Sequence, residues 1–119
     1  YHYRSITFDV QEQGDFRLWM NETLAVVLIT NLLKNAFVHN IDEGNIRIEV
    51  SSSSIRFGNS ASGPALDGTR IFERFYQGSK KKEGSTGLGL AIVDAICRQC
   101  GLQIRYRFAQ DMHWFELSL

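Results

Sequence analysis

The stretch Ser85-Thr86-Gly87-Leu88-Gly89-Leu90 could hold phosphate, because the segment that follows has the pattern of a helix. Glycines let the backbone approach an anion closely, and the unpaired N–H groups and positive dipole end of a helix start attract negative charge. Apolar residues at 88, 91, 92, 95 and 96 predict one buried helical face, and Gly101 predicts the end of that helix. The pattern predicts a phosphate site, with an ordinary loop-to-helix junction as the alternative.

Asn31 and Asn35 form a second group of chemically capable side chains. They stand four residues apart in an apolar segment, so a helix would project both from one face. Amides within an apolar helix need partners, because an unsatisfied buried polar group costs about 1–3 kcal/mol. Their oxygens are neutral ligands of the kind that Mg²⁺ accepts beside its waters and substrate phosphates. The alternative is that both amides cap neighbouring loop backbone.

The composition predicts one globular domain. The chain has 119 residues, 44% of them hydrophobic, and a single proline. Lys plus Arg and Asp plus Glu both number 13, which argues against a generally basic nucleic-acid binder. The longest apolar run, at 24–29, is far shorter than the roughly 20 residues that cross a bilayer. Because Tyr1 is neither a methionine nor part of a signal-like segment, we expect a piece of a longer protein.

Turn residues and periodicity divide the chain into predicted elements. Asn21 is the predicted N-cap of a first helix, which should end near Asn40 and be covered on more than one side. A short helix is predicted at 70–75, within a loop-rich stretch at 59–86. Strands are predicted at 4–10, 16–19, 45–50, 54–58, 103–108 and 113–119, with the middle two and the last two paired.

Three motifs follow one another along the chain: Asn31-Leu32-Leu33-Lys34-Asn35-Ala36, Arg70-Ile71-Phe72-Glu73-Arg74-Phe75-Tyr76 and Thr86-Gly87-Leu88-Gly89-Leu90-Ala91-Ile92-Val93. They resemble the N, F and G2 boxes of the ATP-binding catalytic domain of sensor histidine kinases, in the order and spacing of that family. The resemblance implies one α/β domain over residues 1–119 with a Bergerat-type fold, in which helices cover one face of a mixed sheet. It also implies that ATP lies between the N-box helix and a mobile lid at 73–86.

The resemblance further implies roles for individual residues. Asn35 would coordinate Mg²⁺, Asn31 would lie beside the phosphates as the second catalytic residue, and His39 would lie near the nucleotide. Phe72 and Phe75 resemble the F-box aromatics that anchor the base of the lid by hydrophobic packing. Backbone amides of the G2 box would bind the triphosphate, and they belong to Thr86, Gly87, Leu88, Gly89 and Leu90.

The chain departs from the family pattern where the base would bind. The family pattern is Asp-x-Gly-x-Gly, whereas this chain has Asn59-Ser60-Ala61-Ser62-Gly63, so only Gly63 remains of the two glycines. The Asn59 oxygen can still accept from the adenine amino group, but without charge assistance, and the amide could also rotate and donate to guanine. We therefore expect weaker ATP binding and softer base selectivity, and expect Asn59→Asp to tighten ATP binding by about 1 kcal/mol. Neighbouring backbone could instead hold Asn59 in a remodelled loop.

A second departure concerns a phosphate-contacting charge. Val38 stands where family members commonly place a basic residue. The lysine run could supply this charge from the lid, with a solvated loop as the alternative; its members are Lys80, Lys81 and Lys82.

The function implied by the resemblance is phosphoryl transfer from Mg-ATP to a histidine on a separate dimerisation domain of the same protein. A response-regulator receiver domain is the second implied partner. We expect no nucleic-acid or membrane contact by this domain, a cytoplasmic location in a membrane-associated sensor, and no autophosphorylation of the isolated chain. The amide of Asn31 cannot act as a general base, which disfavours ATP hydrolysis as the main activity. A degenerate nucleotide-binding signalling module and an anti-sigma-type serine kinase of the same superfamily stay open as alternatives.

Two further residue groups are expected to be structural. Cys97 and Cys100 form a Cys-x-x-Cys, but no second cysteine pair exists to complete a zinc site. The aromatic residues Trp19, Trp114 and Phe115 are predicted to pack in the sheet and core rather than to stack nucleic-acid bases.

Overall fold

The computed structural model describes residues 5–41, 43–61, 63–73 and 88–119. Within these ranges the chain forms two helices and five strands. The helices are α1 (Glu22–Val38) and α2 (Gly89–Cys100), and the strands are β1 (Thr7–Glu12), β2 (Asn45–Val50), β3 (Ser54–Ser60), β4 (Gln103–Ala109) and β5 (Met112–Ser118). Neither helix is long and apolar enough to cross a membrane.

The strands form one mixed sheet in the order β1-β2-β3-β5-β4. β1 and β2 are parallel, whereas the other neighbouring pairs are antiparallel. Phe57 of β3 lies opposite Phe115 of β5, and both share one core with Leu28 and Leu32 of α1 and Val93 of α2. The helices therefore cover one face of the sheet, which confirms the predicted two-layer α/β fold.

Helix α1 begins where the sequence predicts. The Asn21 side chain caps it, with Oδ1 accepting from the Leu24 N–H at 3.2 Å. The residues that α1 buries are spaced four apart: Leu28, Leu32 and Ala36. Further residues of α1 also pack against the core, so the helix is covered on more than one side as predicted, although Val26 is 59% exposed; they are Leu24, Val27, Ile29 and Leu33.

Helix α2 buries only part of the predicted face. Ile96 of that face is buried, together with Val93 and Cys97 from outside it, whereas Ile92 and Ala95 of the predicted face are exposed. Apolar residues occur on both rows with helical spacing, so periodicity alone does not choose between them. The helix ends as predicted at Gly101, whose φ of 71° is left-handed.

The predicted strand at 16–19 is wrong, because these residues are irregular. Phe16 and Leu18 pack against the core, which accounts for the alternating apolar pattern without a strand. Trp19 is fully exposed, so its assignment to the sheet or core is also wrong. Trp114 and Phe115 are buried as predicted.

The predicted helix at 70–75 is not seen where the chain is described. Residues 70–73 form turns, in which the N–H groups of Arg70 and Glu73 donate to carbonyls three residues earlier, at 3.0 and 2.9 Å. Residues 74 and 75 lie outside the described residues.

Candidate nucleotide site

The first turn of α2 lies against the middle of α1. A Cβ atom on Gly89 would come within 3.2 Å of Asn31 Oδ1, so glycine lets the start of α2 approach this amide closely. The Asn31 amide nitrogen donates to the Val27 carbonyl oxygen at 2.8 Å. This bond commits the nitrogen to α1 and leaves the oxygen on the α2 side. Two residues that the sequence assigns to one site are thereby brought together.

The start of α2 has no side-chain cap. Leu88 occupies the N-cap position without a side-chain hydrogen bond, and the first turn carries no acidic residue. First-turn N–H groups lack intrahelical acceptors and lie at the positive end of the helix dipole. Leu88, Gly89 and Leu90 therefore place beside Asn31 a helix start whose free N–H groups and dipole suit an anion. Thr86 and Gly87 lie outside the described residues.

Asn35 and His39 follow Asn31 at intervals of four residues along α1. The His39 N–H donates to the Asn35 carbonyl oxygen at 3.1 Å and closes the helix. The Asn35 side chain is partly buried, and no described residue forms a hydrogen bond with it. A neutral oxygen that accepts no hydrogen bond from the described residues is a suitable ligand for Mg²⁺.

Asn59 joins the end of β3 to the end of α1. It is 1% exposed, and its amide nitrogen donates to the His39 carbonyl oxygen at 3.4 Å and to the Ser60 carbonyl oxygen at 3.2 Å. The predicted phosphate-side and base-side residues thus lie along one side of α1, from Asn31 to His39 and on to Asn59.

A hydrogen-bond chain beside Asn59 was not predicted from the sequence. His113 lies opposite Asn59 on β5. Its Nδ1 is 2.8 Å from the Tyr106 hydroxyl, which accepts from the Leu66 N–H at 2.9 Å. Burial lowers the pKa of His113, so the neutral imidazole is favoured and the hydroxyl donates to Nδ1. The chain ties the segment at 63–73 to the sheet, and its members are too far apart in sequence for a local pattern to reveal it.

Gly58 allows Trp114 to lie flat against β3. The two residues are paired across the strands, and a Cβ on Gly58 would come within 2.6 Å of the Trp114 ring. The Arg56 guanidinium lies 4.6 Å from the ring centroid. Trp114 is consequently buried although it lies on the sheet face opposite Asn59.

The remaining predicted site residues have mixed positions. Phe72 packs edge-on against Phe115, with ring centroids 6.3 Å apart, as an anchor of the segment before the predicted lid would. Gly63 is exposed, and a Cβ there would meet nothing within 4 Å. The other candidates lie outside the described residues: Phe75, Lys80, Lys81 and Lys82.

The two cysteines have the structural environment that the sequence predicts. Both thiols are free, and burial, with smaller contributions from Asp94 and Cys100, raises the pKa of Cys97 to about 11. In the described part of the chain, no three His, Cys, Asp or Glu side chains cluster as metal ligands would. A raised pKa suppresses the thiolate, so Cys97 is a packing residue of α2.

Comparisons with known proteins identify the family of the chain. The chain matches the family described as "Histidine kinase-, DNA gyrase B-, and HSP90-like ATPase" over residues 20–117. It is 33% identical over 100 residues to the autoinducer 1 sensor kinase/phosphatase LuxN of Vibrio campbellii. This alignment covers 78% of the chain and 12% of LuxN. It is 38% identical over 99 residues to the sensor protein VanS of Enterococcus faecium. This alignment covers 77% of the chain and 26% of VanS. The chain thus spans a minor part of these relatives.

Solved structures show the same fold. The nucleotide-free catalytic domain of the histidine kinase ThkA aligns with a TM-score of 0.78 at 24% identity, covering 97% of this chain and 78% of that one. The mycobacterial sensor histidine kinase MprB aligns with a TM-score of 0.74 at 21% identity, covering 97% and 81%. Since the family match also contains both α1 asparagines and the start of α2, the chain belongs to the histidine kinase-, DNA gyrase B- and HSP90-like ATPase family, as an ATP-binding catalytic domain of the sensor histidine kinase kind.

Proposed function

We propose that this chain binds Mg-ATP and transfers the γ-phosphoryl group to a histidine on a dimerisation domain of the same protein. The close approach of the Asn31 oxygen to the uncapped start of α2 carries this proposal. It combines helix-start donors suited to phosphate with an oxygen suited to a cation, which are the two components that a metal–triphosphate complex requires. Catalysis would rest on positioning and charge neutralisation.

Asn35 is the proposed protein ligand of Mg²⁺. No described residue forms a hydrogen bond with its side chain, which projects from the same side of α1 as that of Asn31. When bound, Mg²⁺ supplies charge neutralisation on the phosphates. Asn31 and Asn35 would hold and orient the complex at its phosphate end, while His39, Asn59 and the segment to Gly63 would border the base.

Kinase activity fits these residues better than hydrolysis. An amide cannot remove a proton from water, and Asn31 is already committed as a donor to the Val27 carbonyl. The nearby His113 is buried and bound to Tyr106, so it is not placed as a base for an attacking water either.

The chain is proposed to be one domain of a longer cytoplasmic signalling part of a sensor protein. LuxN and VanS, which are far longer than this chain, carry the matching segment as 12% and 26% of their length. A dimerisation domain with the acceptor histidine and a response-regulator receiver domain are the proposed partners. Phe72, Phe75 and the lysines at 80–82 are proposed to anchor and charge the lid.

Phosphotransfer to the dimerisation domain tests the proposal directly. The chain, radiolabelled Mg-ATP and a two-helix dimerisation domain of the parent protein are mixed, and the label on the second domain is followed. Acid-labile, base-stable label is expected, as for phosphohistidine. Label that resists acid would instead indicate a serine kinase, and binding without any transfer would indicate a degenerate signalling module, which Val38 and Asn59 keep as the second candidate.

The chain alone is expected not to phosphorylate itself. His113 is 8% exposed and its Nδ1 is bound to Tyr106, while His39 ends α1 beside the proposed site instead of standing within a helix. Incubation of the isolated chain with labelled Mg-ATP should leave no stable label, and stable label would contradict the assignment of the acceptor to another domain.

A further inference from the structure

Strand β1 forms one edge of the sheet and carries apolar side chains that are exposed. Phe8 and Val10 are 58% and 56% exposed. They pair with Ile46, which is buried, and with Ile48, which packs against the core. Because partners in a ladder project to the same face, Phe8 and Val10 project to the helix face of the sheet. Helix α1 packs on β3 and α2 on β4, so the described helices leave this part of β1 uncovered.

The backbone of β1 has a free edge on the side away from β2. The Thr7 N–H donates to the Gly44 carbonyl oxygen at 3.0 Å, and the Gln13 N–H donates to the last residue of β2 at 2.8 Å. Successive strand residues point their backbone groups to alternate sides, so the odd-numbered residues of β1 bind β2. The N–H and C=O groups of Phe8 and Val10 therefore point to the edge, where no described strand pairs with them.

The two edges of the sheet differ in their protection against further pairing. Edge strand β4 carries exposed Arg105 and Arg107, and α2 covers part of its apolar face. Charged side chains, proline and covering helices are common means by which an edge strand is blocked. β1 has no lysine, arginine or proline, and of its two carboxylates that of Asp9 is paired with Arg47. Because the chain has zero net charge, overall repulsion does not oppose the approach of a second copy.

We propose that β1 is an interaction surface for a second copy of this chain, with which it pairs as an antiparallel strand about a two-fold axis. An axis at position 9 places Phe8 opposite the partner's Val10, and Val10 opposite the partner's Phe8, as hydrogen-bonded pairs on the helix face. An axis at position 10 would place Phe8 opposite a glutamate, and an axis between two positions would pair residues from opposite faces. The axis at position 9 is therefore the favoured register. The contact is separate from the proposed nucleotide site, and β1 precedes the residues 20–117 that match the family.

Asp9 lies on this axis, where the carboxylates of two copies come close together. Each carboxylate accepts from Arg47 Nε of its own chain at 3.2 Å, which reduces the repulsion that like charges opposite each other cause. A single strand pair buries less than the roughly 1,200–2,000 Å² of a standard protein interface. We therefore expect a reversible dimer that forms at chain concentrations of about 10–300 µM, not a permanent one.

Sedimentation equilibrium of the 119-residue chain tests the contact. Between about 10 and 300 µM, the average mass is expected to rise from the monomer value of 13.6 kDa towards twice that value. Phe8→Lys removes an apolar pair, and Val10→Pro removes an N–H that points to the edge without breaking the ladder with β2. Both changes occur twice in a symmetric dimer, so each should raise Kd about tenfold or more. Val26→Lys, at an α1 side chain that is 59% exposed, is the matched control and should leave Kd unchanged.

Three results of the sedimentation experiment contradict the inference. A parent chain that stays monomeric over this range would overturn it. A mass increase that persists in both Phe8→Lys and Val10→Pro would overturn it too, because the contact would not involve the edge of β1. Equal loss of the dimer in Val26→Lys would assign the contact to the helix layer instead of the strand edge.

Disulfide cross-linking tests the register, in a Cys100→Ser background because Cys97 is buried and Cys100 is the more exposed thiol. Asp9→Cys places two thiols at the axis, where the Cα atoms of a non-hydrogen-bonded pair are about 4.5 Å apart, within the range of a disulfide. Gln11→Cys, on the same sheet face, is the matched control, because its counterpart lies about 13 Å away along the strands. With oxidised glutathione as the oxidant, a covalent dimer is expected in Asp9→Cys alone. Equal or faster cross-linking in Gln11→Cys would overturn the proposed register and with it the inference.

Discussion

The side chains of Asn31, Asn35 and Asn59 differ in the hydrogen bonds that they form with the protein. The nitrogens of Asn31 and Asn59 donate to backbone carbonyls, so the oxygens of both amides remain as acceptors. Asn35 has no hydrogen-bond partner among the described residues. An amide, unlike a carboxylate, can satisfy a neighbouring carbonyl with one end and a ligand with the other. At these positions the residue type therefore determines both the local hydrogen bonding and whether a donor or an acceptor is offered to a ligand.

Replacing Asn35 tests the magnesium assignment. In Asn35→Ala we expect Mg-ATP affinity to fall by about tenfold or more, because the proposed protein ligand of the metal is lost. Asn31→Ala should weaken binding less, and Asn45→Ala, at an exposed position of β2, should change it little. Calorimetric titrations with and without Mg²⁺ give the metal-dependent part. A folded Asn35→Ala chain that binds Mg-ATP as tightly as the parent would show that another group holds the metal.

His113 predicts a pH dependence of stability. Burial lowers its pKa in the folded chain below the ordinary value of 6.5, so the unfolded chain binds the proton more readily. The stability that the neutral form contributes is present above about pH 6.5 and is lost as the pH falls through the folded pKa, with a slope of at most about 1.4 kcal/mol per pH unit.

In His113→Asn this contribution should disappear, since an amide oxygen can accept from Tyr106 without titrating. Urea unfolding of the parent and the variant, between pH 5 and pH 8, measures the difference. Because the carboxylates titrate in both proteins, a stability difference that stays constant over this range would contradict the prediction.

At the scale of elements, local sequence patterns predicted the features that depend on local contacts, namely helix caps and strand pairs. The N-cap Asn21, the C-cap Gly101 and the two antiparallel strand pairs were all correctly predicted, because each depends on contacts between residues near in sequence. Strand β3 was predicted to end at Gly58. It continues to Ser60, which pairs with Met112 of β5.

What the sequence did not predict depends on distant contacts. The core-facing side of α2 is decided by its packing on α1 and β4, and two apolar rows with equal spacing gave no basis for choosing. Phe16 and Leu18 alternate like a strand but pack on the core from an irregular segment. The direction of the Asn59 amide depends on the His39 carbonyl, 20 residues away. Motif spacing therefore identified the candidate site residues, whereas their hydrogen-bond roles required the fold.

Tyr106 holds the segment at 63–73 against the β4–β5 hairpin. In Tyr106→Phe the Leu66 N–H loses its acceptor and His113 Nδ1 loses its donor, so we expect a loss of about 1–3 kcal/mol in unfolding free energy. Faster hydrogen exchange at Leu66 should accompany it. A double-mutant cycle with His113→Ala, which leaves no acceptor for the hydroxyl, isolates the hydroxyl–imidazole bond. Unchanged stability together with unchanged exchange at Leu66 would show that this hydroxyl does not anchor the segment.

At the scale of the whole molecule, the proposed site lies where all the layers meet. Helix α1 contributes Asn31 and Asn35, α2 contributes its first turn, and the sheet contributes Asn59 through β3. A ligand bound there would contact elements that are distant in sequence but share one hydrophobic core. Ligand binding and global stability should consequently be linked, because a ligand that binds only the folded state stabilises it.

Mg-ATP is therefore expected to raise the unfolding temperature of the 119-residue chain. A nucleotide concentration of about 100 times Kd contributes about 2.7 kcal/mol, and in a domain of this size each kcal/mol raises Tm by roughly 4–8 °C. The expected shift is thus about 10 °C or more by calorimetry, and EDTA should remove most of it if the metal completes the site. Asn35→Ala should show a small shift with Mg-ATP, whereas Asn45→Ala should retain the shift of the parent. An equal rise in Tm with and without Mg²⁺ would mean that the nucleotide binds through groups other than the metal site proposed on α1.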